Sequence, residues 1–373
     1  MQWLKQTERC KKHKTEHESH LKMRLSIVFL GLMLSASAPA NRIIYVDDNA
    51  IGFNNGSSWN NAYTFLQDAL DEATHSVDKE KTVEIRVAQG TYTPDRNSIS
   101  PEDTGNRDAT FQLINNVMII GGYAGFSEPD PNMRDIEAYV TILNGDLSRN
   151  DIDVNNPGRL YILPDRYDNS ENVVTGSNTD ATAVLDGFTI TGGYISYVSF
   201  FGGLPAGGAG MLISSGSPTL IDCTFTDNVT GNSGGGLLIY DDSNPKLHNC
   251  KFTRNFAESG GGIFSSGSSS LTLINCTFSD NYAKRKGGGM YNADGNPKLT
   301  NCTFSSNSVF GRFSGRGPAG GGMYNINSNP VLTNCTFSEN SSAVSGGGML
   351  NEGCNTVLNM CRFVMNTASS SGG

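Results

Sequence analysis

From residue 208 onward the apolar positions recur at a fixed step. A large apolar residue follows a glycine run six times, at Met211, Leu237, Ile263, Met290, Met323 and Met349. Each copy then carries Leu, Cys-x-Phe and Asn, as in Cys223, Phe225 and Asn228 or Cys276, Phe278 and Asn281. Successive cysteines stand 27, 26, 26, 33 and 26 residues apart. A period of this length marks a solenoid, in which each unit buries its apolar face only against its neighbours. Gly, Ser, Asn and Thr fill the gaps, and nothing there reads at helical spacing. Cys and Phe, two apart, share one face of a strand, as do Leu271 and Leu273. The odd step from Leu273 to Cys276 changes parity and predicts a corner. Three short strands and three corners per 26 residues describe one coil of a parallel β-helix. Coils stack at about 4.8 Å, so six span roughly 29 Å.

The glycine runs suit corners, because glycine reaches positive φ without strain. The repeated Asn suits a corner as well, and stacked in register its amides form a ladder. The single long step is traced to an insertion at residues 310–318, which a solenoid takes up as a loop. Ser371-Gly372-Gly373 opens a seventh copy, so more coils are expected beyond it.

Upstream the pattern is looser. Residues 43–48 predict a first strand. Tyr63, Leu66, Leu70 and Ala73 lie on one helical face, with Phe65 and Ala69 beside it, and the helix is placed as a cap on the first coil. Residues 83–88, 110–113, 117–120, 139–143 and 183–190 read as strands of early coils, the third ended by Gly121-Gly122.

The Gly-Gly-Gly-Met and Phe-x-x-Asn pair resembles the polymorphic outer-membrane protein repeat first described in chlamydiae. Such repeats are widespread in secreted right-handed β-helix proteins of planctomycete-like bacteria, within the pectate-lyase-like superfamily. Tyr45-Val46-Asp47, Gly56-Ser57-Ser58-Trp59 and Leu66-Gln67-Asp68-Ala69-Leu70 resemble the segment that precedes such helices. The resemblance and the bias of parallel crossovers imply a right-handed, all-β solenoid. It specifies fold more than activity, since that superfamily holds adhesins, lyases, hydrolases and spikes. Three regions follow: a signal peptide and lead at 1–40, a cap and irregular early coils at 41–206, and regular repeats at 207–373.

Residues 1–40 combine a basic lead, an apolar run at 25–34 and small residues up to Ala40, the expected cleavage point, with Met23 as the expected true start. The run is too short to span a bilayer. The localisation expected is secreted or cell-surface. Without these forty residues the formal charge moves from −9 to −13, which argues against nucleic acid or an anionic membrane as partner.

Chemistry is sparse. Six of the eight cysteines hold one repeat position. The column reads as buried thiols packed beside Phe, with disulfide pairing of neighbours left open and no zinc spacing. His75 and His248, the two histidines beyond residue 40, lack a Ser/His/Asp setting. Asn178-Thr179-Asp180 resembles one short polygalacturonase motif without its companions, and Asp241-Asp242 reads as a solvated turn. Calcium is the one cofactor left open, at Asp151-Ile152-Asp153-Val154-Asn155, although Asn156 and Ile162 depart from the EF-hand pattern. No metal site is assigned. The residue after each anchor forms a column in which Phe264, Tyr291 and Tyr324 make an aromatic stripe. It is either an exposed platform for sugar rings or a covered strip. The reading reached is a binding, adhesive or structural module, with a polysaccharide or cell-surface glycan as partner. The alternative is a polysaccharide lyase or glycoside hydrolase, with Asp47, Asp48 and Arg86 as catalytic candidates.

Overall fold

The computed structural model describes residues 42–77, 82–154, 157–196, 207–311, 317 and 319–373; the signal-peptide reading and most of the insertion lie outside them. Residues 41–373 form one compact unit. Its strands stack into four sheets of ten, nine, eight and seven strands, and all paired strands run parallel. One coil runs Met211–Ser214, Thr219–Ile221, Thr224–Thr226, Val229–Thr230, entering the eight-, ten-, nine- and seven-stranded sheets in turn. The coil therefore has four strands, where the sequence pattern predicted three. The fourth follows the Asn and is two residues long here; it reaches four and five residues only at Phe256–Ser259 and Tyr282–Lys286, so no alternation recurs from coil to coil.

The corners are set by single residues. Asp222, Asn249, Asn275, Asn301 and Asn334 stand just before the cysteines with φ between +51° and +56°. This left-handed position flips the side-chain parity between Leu273 and Cys276, as the odd step required. Gly187, at φ +82°, makes the same corner one coil earlier. It splits the strand predicted at 183–190 into Val184–Asp186 and Phe188–Thr191. The strand ended at Gly121-Gly122 by the sequence instead runs through that pair, as Val117–Tyr123.

At the second repeated corner, the left-handed residue is the one before the Asn: Asp227, Arg254, Asp280, Ser306 or Glu339. The Asn turns inward. Asn228, Asn255, Asn281, Asn307 and Asn340 are fully buried. Each Nδ2 donates to the next Oδ1, from Asn228 on Asn255 at 3.1 Å to Asn340 on Asn366 at 2.9 Å. The expected amide ladder is present, and it lies inside the solenoid.

Beside it, Phe225, Phe252, Phe278, Phe304, Phe337 and Phe363 stack face to face, with centroids 4.4–5.0 Å apart. The register holds through the 33-residue step, since Phe304 pairs with Phe337. The glycine run has a steric cause: a Cβ at Gly288 would stand 2.5 Å from Gly321 O and 2.7 Å from Ser308 O. The helix Leu66–Ser76 buries Leu66, Ala69, Leu70 and Ala73 in the same core as Ile44, Val46, Val83 and Ile85. Tyr63 falls before it, bridged to Val46.

The seven described cysteines are free, five of them buried and Cys354 and Cys361 partly exposed. The buried thiols turn toward backbone carbonyls, as Cys250 Sγ does to His248 O at 3.4 Å, and burial pushes the Cys250 thiol well above its ordinary range. Titration of protein lacking residues 1–40 with Ellman's reagent should find about two thiols, Cys354 and Cys361, before denaturation and the other five only after it. Prompt reaction of all seven, or no thiol after denaturation, would contradict this packing.

Candidate functional site: a polar groove and an outer amide ladder

The residues singled out from sequence do not converge. Asp47 is buried, and its carboxylate accepts the backbone N–H of Asn49 at 2.9 Å and of Phe126 at 2.6 Å. It pins the loop of residues 124–140. Asp48 accepts the Asn49 amide at 2.8 Å, and burial, then the Asp47 charge, raises its carboxyl above the ordinary range. Arg86 Nε is 2.6 Å from Glu84 Oε1, and its guanidinium lies over the rings of Tyr123 and Tyr45. Its partners are thus Glu84 and two aromatic rings, where a catalytic reading had grouped it with Asp47 and Asp48. Asn178-Thr179-Asp180 is a turn: Asn178 has φ +58°, Thr179 Oγ1 donates to Gly176 O, and Asp180 Oδ1 accepts the Thr182 N–H. Asp241 and Asp242 form the exposed turn expected of them.

The aromatic column exists, with its anchors inward as required. Phe264 and Tyr291 stack at 4.5 Å and 2°, and Tyr291 and Tyr324 at 5.2 Å and 22°. Tyr324 is fully buried, with Lys286 Nζ 4.1 Å above its ring. Phe264 and Tyr291 are half-buried. A sugar ring packs on an aromatic face, and here the faces cover one another. The open platform entertained from the sequence is therefore not formed.

A different site emerges two sheets further along the coil. The loop at 124–140 stands beside the nine-stranded sheet and walls a groove of about 220 Å³. Arg134 fastens the wall, with Nε on Gly121 O at 2.9 Å and Nη2 on Asp186 Oδ1 at 2.6 Å. Trp59 Nε1 holds Asn132 at 3.0 Å from the far side. Ile136, Glu137 and Val140 line the wall, and Thr189, Thr224, Lys251, Asp222 and Asn249 line the floor. Thr189, Thr224 and Lys251 are successive rungs of one outward column. Burial raises the Asp186 carboxyl above the ordinary range; Arg134 opposes this and the Asp222 charge adds to it. His248 is lowered by burial and by Lys246, with Asp222 opposing.

The groove continues as a second amide ladder, on the outside. Asn249 Nδ2 donates to Asp222 Oδ1 at 2.9 Å, Asn275 to Asn249 and Asn301 to Asn275 at 3.1 Å, and Asn334 to Asn301 at 2.9 Å. All four asparagines are exposed. Each retains a second N–H and spare acceptor capacity toward solvent. The inner Asn of the repeat is the one its spacing singles out; the outer column is recognised only in the folded chain. Its signal was present, as Asp or Asn directly before five of the six cysteines.

The family model described as "Right handed beta helix region" matches residues 142–304. The chain is a right-handed parallel β-helix. Two solved structures are similar to it. One is the crystal structure of pectate lyase Pel9A, at 16% identity and a TM-score of 0.47, covering 91% of this chain and 80% of that one. The other is pectin methylesterase PemA from Erwinia chrysanthemi, at 10% identity and 0.42, covering 90% and 93%. No curated protein matches the sequence. Among the described residues of the β-helix, no helix is long and apolar enough to cross a membrane.

Proposed function

We propose that this β-helix is a secreted or cell-surface glycan-binding module, and that a polysaccharide lies along the groove and the outer amide ladder. The observation that carries the reading is periodicity. A polymer that repeats its hydroxyl groups suits a wall of amides that repeats once per coil, and each Asn both donates and accepts. The groove mixes Asp222 and Glu137 with a single Lys251, and the chain is acidic overall, which favours a neutral glycan over a polyanionic one. The repeat's resemblance to surface adhesins supports the same reading by analogy only, as the signal-peptide pattern supports export.

Affinity electrophoresis against neutral and acidic plant and algal polysaccharides tests it. A neutral glycan should retard the protein. The double variant Asn249→Gly with Lys251→Ala should weaken binding about tenfold or more, the loss of one to two hydrogen bonds. Glycine is chosen because Asn249 has φ +55°. Tyr291→Ala should leave binding unchanged. Retardation by no glycan, or equal retardation of the variant, would refute the site.

One observation favours a second reading, a lyase or hydrolase. Asp186, raised by burial and ion-paired to Arg134, stands beside the groove with Asp222 near it, the kind of carboxylate setting that acid–base chemistry uses. New reducing ends or unsaturated product from the wild type, abolished by Asp186→Asn, would establish that reading over simple binding.

A further inference from the structure

Beyond the groove the nine-stranded sheet turns an uncharged strip outward. Three successive strands carry it, Thr277–Ser279, Thr303–Ser305 and Thr336–Ser338. On each, the central Phe is buried and the two hydroxyl residues beside it are half-exposed; two residues before each Thr stands an exposed Asn of the outer ladder. One triad is thus written three times: Asn275, Thr277 and Ser279; Asn301, Thr303 and Ser305; Asn334, Thr336 and Ser338. The triads are in register, Thr277 on Thr303 on Thr336 and Ser279 on Ser305 on Ser338. The row runs back into the groove through Asn249, Lys251 and Thr253, then Asp222, Thr224 and Thr226. Charge enters these five rungs only at Lys251 and Asp222. The row stops at Gly187 on one side, where the ladder position has no side chain, and at Met360, Arg362 and Val364 on the other.

The strip is also straight. The Phe rings between its two hydroxyl columns lie 1–7° from parallel from one coil to the next. Successive coils are therefore stacked with little rotation, and each outward position recurs after one coil step of about 4.8 Å. A ligand that makes the same contacts on every coil must advance one unit per coil along a line. Sugar rings linked equatorially at opposite ends do so, as in cellulose-type or mannan-type chains: the polymer is an extended ribbon, and each residue advances about one ring length, close to a coil step. Axially linked rings, as in amylose-type chains, curl away from a straight strip. In a ribbon, alternate rings are turned over and present opposite edges. Asn, Thr and Ser side chains each donate and accept, so one triad satisfies either edge. The residues that follow Ser279 and Ser338, Asp280 and Glu339, are exposed and acidic, which disfavours a chain bearing carboxylate or sulfate groups.

We propose that the groove and the strip bind a neutral polysaccharide of the extended, equatorially linked class, one sugar ring per coil, with Thr277, Thr303 and Thr336 as the hydroxyl column that sets its register. The inference rests on the glycan reading above and names the class of chain. A single rung on an open surface contributes little, because each hydrogen bond to the sugar replaces one to water. Rungs in register add up, since a chain held at one rung is already placed at the next. The five rungs from Thr224 to Thr336 set a footprint of five rings.

The full chain is titrated by calorimetry with cello- and manno-oligosaccharides of increasing length, and with malto-oligosaccharides of the same lengths. Affinity for one of the two extended series should rise about threefold or more with each added ring and level off near five rings, and at that length exceed the coiled series about tenfold. Thr277→Val with Thr303→Val keeps the strands, which valine favours, and should weaken binding of the five-ring chain about fivefold or more. Thr272→Val, on the ten-stranded sheet, should not. Equal affinity for the coiled series, no gain with length, or full binding by the double variant would overturn the proposal and leave a glycan-binding role in place. No heat and no electrophoretic retardation with any neutral glycan would overturn both. If the double variant fails to fold, the length series on the native protein still decides.

Discussion

Asn281→Ala should cost the β-helix about 3 kcal/mol or more of stability, measured by denaturant unfolding. The Asn281 side chain makes four buried hydrogen bonds. Its Oδ1 accepts from Asn255 N at 3.2 Å and Asn255 Nδ2 at 3.0 Å, and its Nδ2 donates to Phe252 O at 2.8 Å and Asn307 Oδ1 at 2.9 Å. Alanine strands the Asn255 donors and the Phe252 carbonyl where water cannot reach, at about 1–3 kcal/mol for each unsatisfied group. Ladder bonds also polarise one another, so the middle of the row should be worth more than its end. Asn366→Ala, at a partly exposed position, should therefore cost less. Asn301→Gly supplies the contrast. Asn301 belongs to the outer ladder, is exposed, and sits at φ +56°; glycine keeps its corner, and the change should stay within about 0.5 kcal/mol. Equal costs at Asn281 and Asn301 would mean that the inner ladder adds nothing beyond its corner geometry.

Phe304→Ala should be comparably severe, about 3–5 kcal/mol. Phe304 is fully buried between Phe278, at 4.4 Å and 1°, and Phe337, at 4.6 Å and 4°. Truncation opens a cavity that the rigid strands on either side cannot close, and it removes two ring contacts of about 0.5–1.5 kcal/mol each. The equivalent Phe363 is 42% exposed, so Phe363→Ala should lose less than half as much. In a solenoid each coil contacts only its neighbours, so the damage should be local. Hydrogen exchange should speed up first in the strands next to Phe304, at Thr277–Ser279 and Thr336–Ser338. Uniform acceleration from Arg42 to the end would show that the β-helix unfolds as one cooperative unit.

Much of this architecture is written in the spacing. The Cys-x-Phe pair, the step from Leu273 to Cys276 and the glycine runs determine a parallel coil, its corners and its buried columns, because a strand alternates faces and a stacked coil repeats its neighbour's environment. The 33-residue step locates the insertion for the same reason. Periodicity has no hold where an element is mostly two residues long and varies from coil to coil, or where a strand bends at one residue, which is why the fourth sheet and the break at Gly187 became visible only in the folded chain.

The candidate sites divide along the same line. Asp47, Asp48 and Arg86 look alike in sequence, as charged residues in an early coil. Whether a carboxylate works or merely holds a loop depends on what reaches it, and Phe126 N–H reaches Asp47 from 79 residues away. Phe264, Tyr291 and Tyr324 are legible as a column, yet their stacking, which hides the ring faces, is a matter of rotamer and neighbour. The groove needs residues 134–140 folded back over Thr224, Asn249 and Lys251. What repeats every 26 residues the sequence alone determines, since each copy restates the same local physics; what forms once, by long loops closing on that frame, tertiary contacts alone decide.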